Sequence, residues 1–377
     1  MIPYARQWLD EDDIQAVVET LRSPWLTTGP AVAEFEGDFA DAVAAPAAVS
    51  FANGTAALHG IMHTLGIGPG DEVIVPAISF VASANAVVFQ GGTPVFADLE
   101  PDTLLLDPQS VAERIGPRVK AILAVDFAGQ PCDYGALEAL ARRHGLALAA
   151  DACHSLGAHY QGRPVGSLTG LNAFSFHAVK PITSGEGGMV SCRDPAQAAA
   201  LRRFRNHGIE TDFRQREQAG TWEYDMGELG YNYRLTDLQC ALGRRQLAKR
   251  ESFLARRQAI ATRYDAAFAD LADRIRPLAQ RQDRGHAHHL YVVQVRGGRA
   301  SWFRELRARG IGVNVHYRPI HLHSFYRERF KLGPGLCPVA EAAYQGLLSL
   351  PLYAGLGDAE VEQVIAAVRA TAARLPK

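Results

Sequence analysis

The sequence predicts an α/β fold built around a mostly parallel sheet, and two observations favour this class. Short β-rich apolar runs alternate with helical apolar spacing between about residues 46 and 195, which is typical of strands joined by crossover helices. The length of 377 residues, with 47% hydrophobic and 21% charged residues, suffices for a large core and two domains. We therefore expect ligand-binding side chains just beyond the carboxyl ends of the strands.

Seven apolar runs are predicted as strands of this sheet, with helices between several of them. The strands span residues 48–52, 72–75, 94–97, 121–125, 146–150, 173–176 and 188–191, and the helices span 55–65, 82–90 and 134–144. A long helical stretch over 235–271 is expected to lead into a second domain. In that domain 289–295 and 312–316 are predicted as strands, and 301–309 and 358–375 as helices.

The domain boundary is predicted near residue 245. Residues 13–245 would form the large domain that holds the sheet, and residues 246–377 a smaller C-terminal α+β domain. Residues 1–12 would pack near the entrance to the binding site.

Composition and charge exclude several functional classes. Lys plus Arg total 39 and Asp plus Glu total 40, so no nucleic-acid or membrane-surface partner is indicated. No basic region followed by an apolar one begins the chain, and the apolar runs are too short for a bilayer span. The five cysteines lack CxxC spacing, which favours a reducing cytoplasm, and no metal site is expected.

Lys180 is the strongest candidate for an amine nucleophile. Of the five lysines, it alone directly follows an apolar strand, and the turn-forming segment Gly185–Gly188 comes soon after it. A desolvated lysine at a strand end has a lowered pKa and can form a Schiff base. The alternative is a lysine in a structural ion pair.

Three further positions follow predicted strands. Asp151 could face a protonated pyridine nitrogen, such as that of pyridoxal 5'-phosphate (PLP), or it could cap a helix. Gly54 and Thr55 begin a helix whose free N–H groups could bind a phosphate monoester, although an ordinary turn would look the same. Phe80 could stack on a pyridine ring or belong to the core.

Taken in order, several segments resemble motifs of the DegT/DnrJ/EryC1/StrS family of sugar aminotransferases. They are Leu26–Pro30, Ser175–Lys180 with Gly185–Gly188, Gly230–Leu235 and Ser349–Pro351. The resemblance covers nearly the whole chain. It implies the PLP-dependent transferase fold type I, like that of aspartate aminotransferase, and a homodimer with shared active sites.

The resemblance also implies a role for each matching residue. Lys180 would bind PLP as a Schiff base, and Asp151 would face the pyridine nitrogen. The phosphate and the ring would be held by Gly54, Thr55, Ser175, Phe80 and the partner subunit's Asn232. His154, where many members carry Gln, would lie near the phenolic oxygen, because either side chain can hydrogen-bond there.

The implied reaction passes an amino group from L-glutamate through pyridoxamine 5'-phosphate (PMP) to C4 of a UDP-linked 4-keto-6-deoxy-N-acetylhexosamine, as in pseudaminic acid biosynthesis. Segments 225–235 and 315–320 favour this substrate, whereas Tyr326–Phe330 favours UDP-4-keto-L-arabinose. A PLP-binding relative without transaminase activity is a further alternative, and so is a nucleotide-binding protein without PLP. The candidate substrate contacts are Tyr4, Thr28, Arg234, His316 and Tyr317, with Arg318 as a weaker one.

Overall fold

The strands of the chain were located in a computed structural model that describes residues 1–375. Within that range the strands are β1 (Ala47–Phe51), β2 (Glu72–Pro76), β3 (Thr93–Ala97), β4 (Val119–Val125), β5 (Ala147–Asp151), β6 (His159–Tyr160), β7 (Arg163–Pro164), β8 (Leu171–Ser175), β9 (Gly188–Cys192), β10 (Ile275–Pro277), β11 (Tyr291–Val295) and β12 (Leu347–Leu350).

The α-helices of the same range connect these strands or flank them. They are α1 (Glu11–Arg22), α2 (Pro30–Ala42), α3 (Gly54–Thr64), α4 (Ala82–Phe89), α5 (Pro108–Arg114), α6 (Tyr134–His144), α7 (Pro195–Phe204), α8 (Phe213–Gln218), α9 (Asp237–Ala248), α10 (Arg250–Phe268), α11 (Arg299–Ala308), α12 (Ser324–Phe330), α13 (Pro338–Gly346) and α14 (Asp358–Arg374). In the described part of the chain, no helix is both long and apolar enough to cross a bilayer.

Seven strands form the main sheet in the order β1-β9-β8-β5-β4-β2-β3. Neighbours from β3 to β8 pair in parallel, whereas β9 is antiparallel to both β8 and β1. The predicted α/β class with a mostly parallel sheet is confirmed. Because β1, β2, β5 and β8 point the same way, their carboxyl ends meet at one edge, where ligand sites of such sheets lie.

Helices cover the sheet because its strands are apolar along nearly their whole length, as expected for a sheet buried on both faces. An aromatic cluster packs α2 against the sheet, with ring centroids 4.9 Å apart for Phe39 and Phe174 and 5.2 Å apart for Phe35 and Phe176. This cluster belongs to the larger of two hydrophobic cores.

A second core lies on the three-stranded sheet β10-β11-β12 and is covered by α10, α11 and α14. Its largest fully buried side chains include Tyr264 and Trp302. Some residues between 287 and 347, including Leu290, Tyr326 and Cys337 in front of α13, pack on the larger core instead. The chain therefore returns to the large core after residue 246, and the predicted boundary near 245 stays a prediction.

Two of the predicted elements differ from the structure. The long helical stretch over 235–271 is divided, since α9 ends at Ala248 and α10 begins at Arg250. The strand predicted over 312–316 is wrong, because this segment makes only one isolated bridge, between Asn314 and Ser349. Val313 is buried and Val315 is partly buried, but no second strand in the described chain continues the pairing.

Candidate active site

Lys180 lies in the loop that joins β8 to β9. These strands are paired up to Ser175 and Gly188, so the loop leaves and re-enters the sheet at the edge where ligands bind. The Lys180 amine lines a cavity of about 880 Å³. Burial lowers the pKa of Lys180, although Cys153 and Asp151 oppose that change.

The Asp151 carboxylate ends β5 and lines the same cavity. Its Oδ2 accepts a hydrogen bond of 2.7 Å from the Ser83 hydroxyl, and its Oδ1 accepts one of 3.2 Å from the Cys153 N–H. The alternative interpretation of Asp151 as a helix cap is wrong, because turns follow β5 over residues 152–158. The buried carboxylate is thus fixed in orientation, with no cationic side chain bonded to it among the described residues.

The start of α3 forms an anion-binding corner of the cavity. The Asn53 side chain accepts a hydrogen bond of 2.8 Å from the Ala56 N–H, which leaves the Gly54 and Thr55 N–H groups without an acceptor in the described chain. A Cβ at Gly54 would lie 2.9 Å from the Cβ of Ser175. Glycine is therefore required here, and it lets the helix start approach the end of β8 closely.

Aromatic and imidazole rings form the opposite wall. Phe80 is 55% exposed on the subunit and lines the cavity, and its ring centroid lies 6.0 Å from that of Tyr317. The Tyr317 hydroxyl is 3.4 Å from Nε2 of His154. Burial holds the pKa of His154 well below the usual range, and the Lys180 charge adds to this effect.

His316 and Tyr4 close the cavity on the side of the N-terminal segment. Their ring centroids are 5.4 Å apart, and Nδ1 of His316 is 2.8 Å from the Ser349 hydroxyl. Burial lowers the pKa of His316 to about 4, with a further contribution from Lys180. At neutral pH the cavity therefore presents Lys180 beside the uncharged imidazoles of His154 and His316. Ile2 pairs with Ile311, which places the N-terminal segment beside this wall.

The residues that surround the cavity fit PLP. The helix start with two free N–H groups suits a phosphate, the buried Asp151 suits a protonated pyridine nitrogen, and Lys180 suits a covalent link. Nδ1 of His154 and Nδ1 of His289 are buried without a hydrogen-bond partner in the described chain. Such unpartnered polar atoms are rare in native proteins, and the free Nδ1 of His154 fits a wall that receives a polar ligand.

Four predicted residues do not line this cavity. Thr28 and Arg234 line a separate surface depression of about 930 Å³, where Nη1 of Arg234 donates a 2.8 Å hydrogen bond to Asn206. Asn232 pairs with Asn206 through its backbone, and Arg318 is exposed with its guanidinium on the Leu322 carbonyl. One subunit alone does not bring these four side chains to Lys180.

Several residues of the site were missed in the sequence. Ser83 fixes Asp151 from the first turn of α4 without lining the cavity itself, and no sequence motif marks it. His289, Tyr233 and Asn314 line the cavity. His289 and Asn314 come from segments that are predicted as strands and carry no motif, whereas Tyr233 belongs to the Gly230–Leu235 motif but has no predicted role.

Known proteins resemble this chain over nearly its whole length. Residues 7–369 match the DegT/DnrJ/EryC1/StrS aminotransferase family. The chain is 39% identical over 375 residues to SpsC, a spore coat polysaccharide biosynthesis protein of Bacillus subtilis, covering 98% of this chain and 96% of that protein.

Solved structures superpose closely on this chain. Spr1654 of Streptococcus pneumoniae, provisionally assigned as a sugar aminotransferase, matches in its PMP form with a TM-score of 0.94 at 34% identity over 99% of this chain and 100% of that chain. Its PLP form matches with a TM-score of 0.93 at 33% identity, covering 100% of each chain. Helicobacter pylori PseC, an aminotransferase of pseudoaminic acid biosynthesis, matches with a TM-score of 0.90 at 32% identity over 98% of each chain.

The family match spans almost the whole chain, and the solved relatives share both its fold and the cofactor that its cavity fits. With its fold type I architecture and its lysine at the sheet edge, the chain belongs to the DegT/DnrJ/EryC1/StrS family and is a PLP-dependent sugar aminotransferase.

Proposed function

We propose that this enzyme transfers the amino group of L-glutamate to C4 of a UDP-linked 4-keto-6-deoxy-N-acetylhexosamine, for pseudaminic acid-type surface glycans. The observation that carries the proposal is the position of Lys180 and Asp151 in one cavity of about 880 Å³. The similarity to PseC, at 32% identity over 98% of each chain, supports this sugar over other 4-keto sugars.

Lys180 and Asp151 would have different roles at the cofactor. PLP, when bound, acts as an electron sink for the carbon that loses its proton. Lys180 would hold PLP through a covalent link and would carry a proton when it is free, since burial lowers its pKa. Asp151 would face the pyridine nitrogen, and Ser83 fixes the direction of that carboxylate.

The remaining assigned side chains orient the ligands. Gly54, Thr55 and Ser175 would hold the phosphate, and Phe80 would stack on the ring. His154 would contact the phenolic oxygen. Tyr4, His316 and Tyr317 would line the sugar side, since they form the wall that faces Lys180 across the cavity.

The substrates require positive charge that one subunit does not supply. Both L-glutamate and a UDP-sugar are anionic, yet among the described residues that line the cavity Lys180 is the only lysine or arginine. We infer a homodimer in which the second subunit contributes Thr28, Asn232 and Arg234 to each site. The five cysteines of the described chain are free thiols, which supports a cytoplasmic location.

The test is an absorbance measurement on the protein purified with PLP. L-Glutamate should replace the band of PLP bound at Lys180 with the band of PMP. Lys180→Ala should abolish the change. Lys120→Ala is the matched control, because Lys120 is half exposed in an ion pair with Asp71 and should behave like the wild type.

Candidate UDP-4-keto sugars are then ranked by how fast each one restores the PLP band of the PMP enzyme. Fastest recovery with the 4-keto-6-deoxy-N-acetylhexosamine supports the proposed substrate. Faster recovery with UDP-4-keto-L-arabinose would replace it with that sugar. An enzyme that binds PLP but shows no change with any amino donor would contradict transamination itself.

A further inference from the structure

Two imidazoles lie side by side on the wall of the active-site cavity. The ring centroids of His154 and His289 are 4.3 Å apart, and the ring planes are inclined by 46°. Both side chains are almost fully buried, with 5% and 3% exposure. Neither Nδ1 atom has a hydrogen-bond partner in the described chain, so the two rings meet through packing and not through an N–H···N bond.

Arg257 fixes the backbone that carries the second imidazole, that of His289. Its Nη1 donates to the carbonyl oxygens of His288, His289 and Leu352, at 3.2, 3.3 and 3.0 Å. Arg257 is 2% exposed and, within the described residues, pairs with no carboxylate. A buried guanidinium is costly unless its donors are used; here Nη1 fixes the backbone that carries His289, whereas Nε has no partner among the described residues.

Every charged group that faces His289 opposes its protonation. Burial holds the pKa of His289 well below the usual range, and His154, Lys180, Arg257 and His316 add to the effect. The pKa of His154 is lowered by burial, Lys180 and His316. A neutral ring with an unpartnered Nδ1 favours the tautomer that keeps its proton on Nε2, because a buried N–H without an acceptor is costly.

We propose that His289 is a positioning residue of this active site. Its ring, carried by the backbone that Arg257 holds, packs against His154 and excludes water from it. His154 therefore meets the bound ligand as an uncharged hydrogen-bonding ring. The inference rests on the proposed contact between His154 and the phenolic oxygen of the cofactor. His289 supports that contact by packing, and its polar atoms do not touch the ligand directly.

The experiment compares His289→Phe, His289→Ala and the control His286→Ala in the PLP-loaded enzyme. Phe keeps a ring against His154, whereas Ala opens a space that admits water. His286 belongs to the same segment and stacks on His288 at 4.1 Å, but it does not line the cavity. The readouts are the PLP absorbance as a function of pH and the Kd for PLP.

For His289→Ala we expect a new ionisation in the absorbance profile at about pH 6 to 6.5, because hydrated His154 regains an ordinary pKa. The Kd for PLP should rise by about 3- to 10-fold, the effect of one weakened hydrogen bond. His289→Phe and His286→Ala should show neither change. If His289→Ala does not fold, His289→Asn carries the same expectation, since it also leaves ring volume empty.

The outcomes separate this inference from the proposed function. His289→Phe behaving like His289→Ala would overturn it, because the imidazole nitrogens and not the packing would then matter. An unchanged His289→Ala profile would overturn it as well. His154→Ala tests the underlying contact independently: if that variant leaves the absorbance unchanged, the proposed role of His154 fails whatever the His289 variants do.

Discussion

At the scale of single residues, the direction of the Asp151 carboxylate depends on two donors from different elements. The Ser83 hydroxyl comes from α4 and the Cys153 N–H from the turn after β5. A carboxylate that must face a pyridine nitrogen loses part of its benefit if it can rotate, because pre-organised charge requires no reorganisation when the ligand binds.

Ser83→Ala should therefore weaken PLP binding without unfolding the enzyme. A hydrogen bond to a charged group contributes about 1.5 kcal/mol or more, so we expect the Kd for PLP to rise by about 10-fold. Titration of the apoenzyme with PLP, followed by absorbance, measures this. Ser79→Ala is the control, since its hydroxyl contacts Ser83 at 2.7 Å and not Asp151. Equal effects of the two variants would contradict the role of Ser83.

Asp126 is a second buried carboxyl, one strand away at the end of β4. It accepts hydrogen bonds from Tyr134 at 2.8 Å, Ser155 at 2.7 Å and the Cys132 N–H at 3.0 Å. Burial raises the pKa of Asp126 to about 6, and these hydrogen bonds only partly oppose the change. Because the folded protein binds this proton more tightly than the unfolded chain does, the stabilisation is complete below about pH 3.8 and is lost as the pH rises through about 6.

Asp126→Asn cannot titrate and should remove this dependence. Relative to the variant, the wild type should lose stability on the order of 3 kcal/mol between about pH 4 and pH 7. Thermal midpoints of both proteins across that range measure the difference, and all other titrating groups are shared. A constant difference between the two midpoints would show that Asp126 keeps the same protonation state in the folded and unfolded protein.

Residues differ in how far the sequence predicts them. Lys180, Asp151, Gly54 and Phe80 could be placed at the cavity because each directly follows an apolar strand, and parallel strands end at one edge. His289 could not be placed, because it comes from the segment before β11, whose residues Ala287 and Leu290 return to the larger core far along the chain from β5 and β8. His289 packs against His154, and nothing in the sequence around either histidine shows that the two rings meet.

At the scale of elements, the segment before α2 is held by the first residue of α9. The Asp237 carboxylate accepts hydrogen bonds from the Gly29 N–H at 2.7 Å and the Ala31 N–H at 3.1 Å. The Asp237 N–H donates in turn to the Leu26 carbonyl at 3.0 Å. This arrangement replaces the missing side-chain cap of α2 and fixes Thr28, which has a positive φ of 55°.

Asp237→Ala should destabilise the fold by about 2 to 4 kcal/mol, since it leaves two N–H groups at the helix start without an acceptor. Chemical denaturation of the PLP-free protein measures the change. Asp237→Asn keeps one acceptor oxygen and should lose about half as much. Wild-type stability of the alanine variant would mean that water or another group satisfies both N–H groups.

Elements were predictable where local pattern and tertiary pairing agree. The strands β2 and β4 and the helix α6 are buried runs or amphipathic stretches, and their positions follow from side-chain periodicity. The break at Lys249 between α9 and α10 has no Gly or Pro to mark it. The segment 312–316 has a strand-like pattern, but a strand also needs a partner edge, which a sequence does not show.

At the scale of the whole molecule, the proposed homodimer explains why three predicted residues lie away from their own cavity. Thr28 and Arg234 share one depression of about 930 Å³, and Asn232 directly precedes Tyr233, which lines the active-site cavity. If that surface faces the second subunit, each site combines Lys180 of one chain with Arg234 of the other.

Co-expression of two inactive variants tests this. Lys180→Ala and Arg234→Ala should each lack activity as homodimers, whereas the purified heterodimer should regain one intact site and about half of the wild-type activity, since a two-fold dimer has two equivalent sites. Two distinct affinity tags isolate the heterodimer, and glutamate-dependent turnover is the readout. A heterodimer without activity would mean that Lys180 and Arg234 serve the same chain's site or no common site.

The antiparallel placement of β9 has one more consequence. Ser175 and Gly188 are paired, and the Phe176 N–H donates to the Gly187 carbonyl at 2.8 Å. The loop that carries Lys180 therefore begins and ends at residues that are hydrogen-bonded to each other. A change within residues 177–187 should therefore leave the strand register intact, provided that Ile182, which is buried in the large core, is replaced by an apolar residue of similar size. Grafting the corresponding loop of a relative under that condition should yield a protein with the same scaffold.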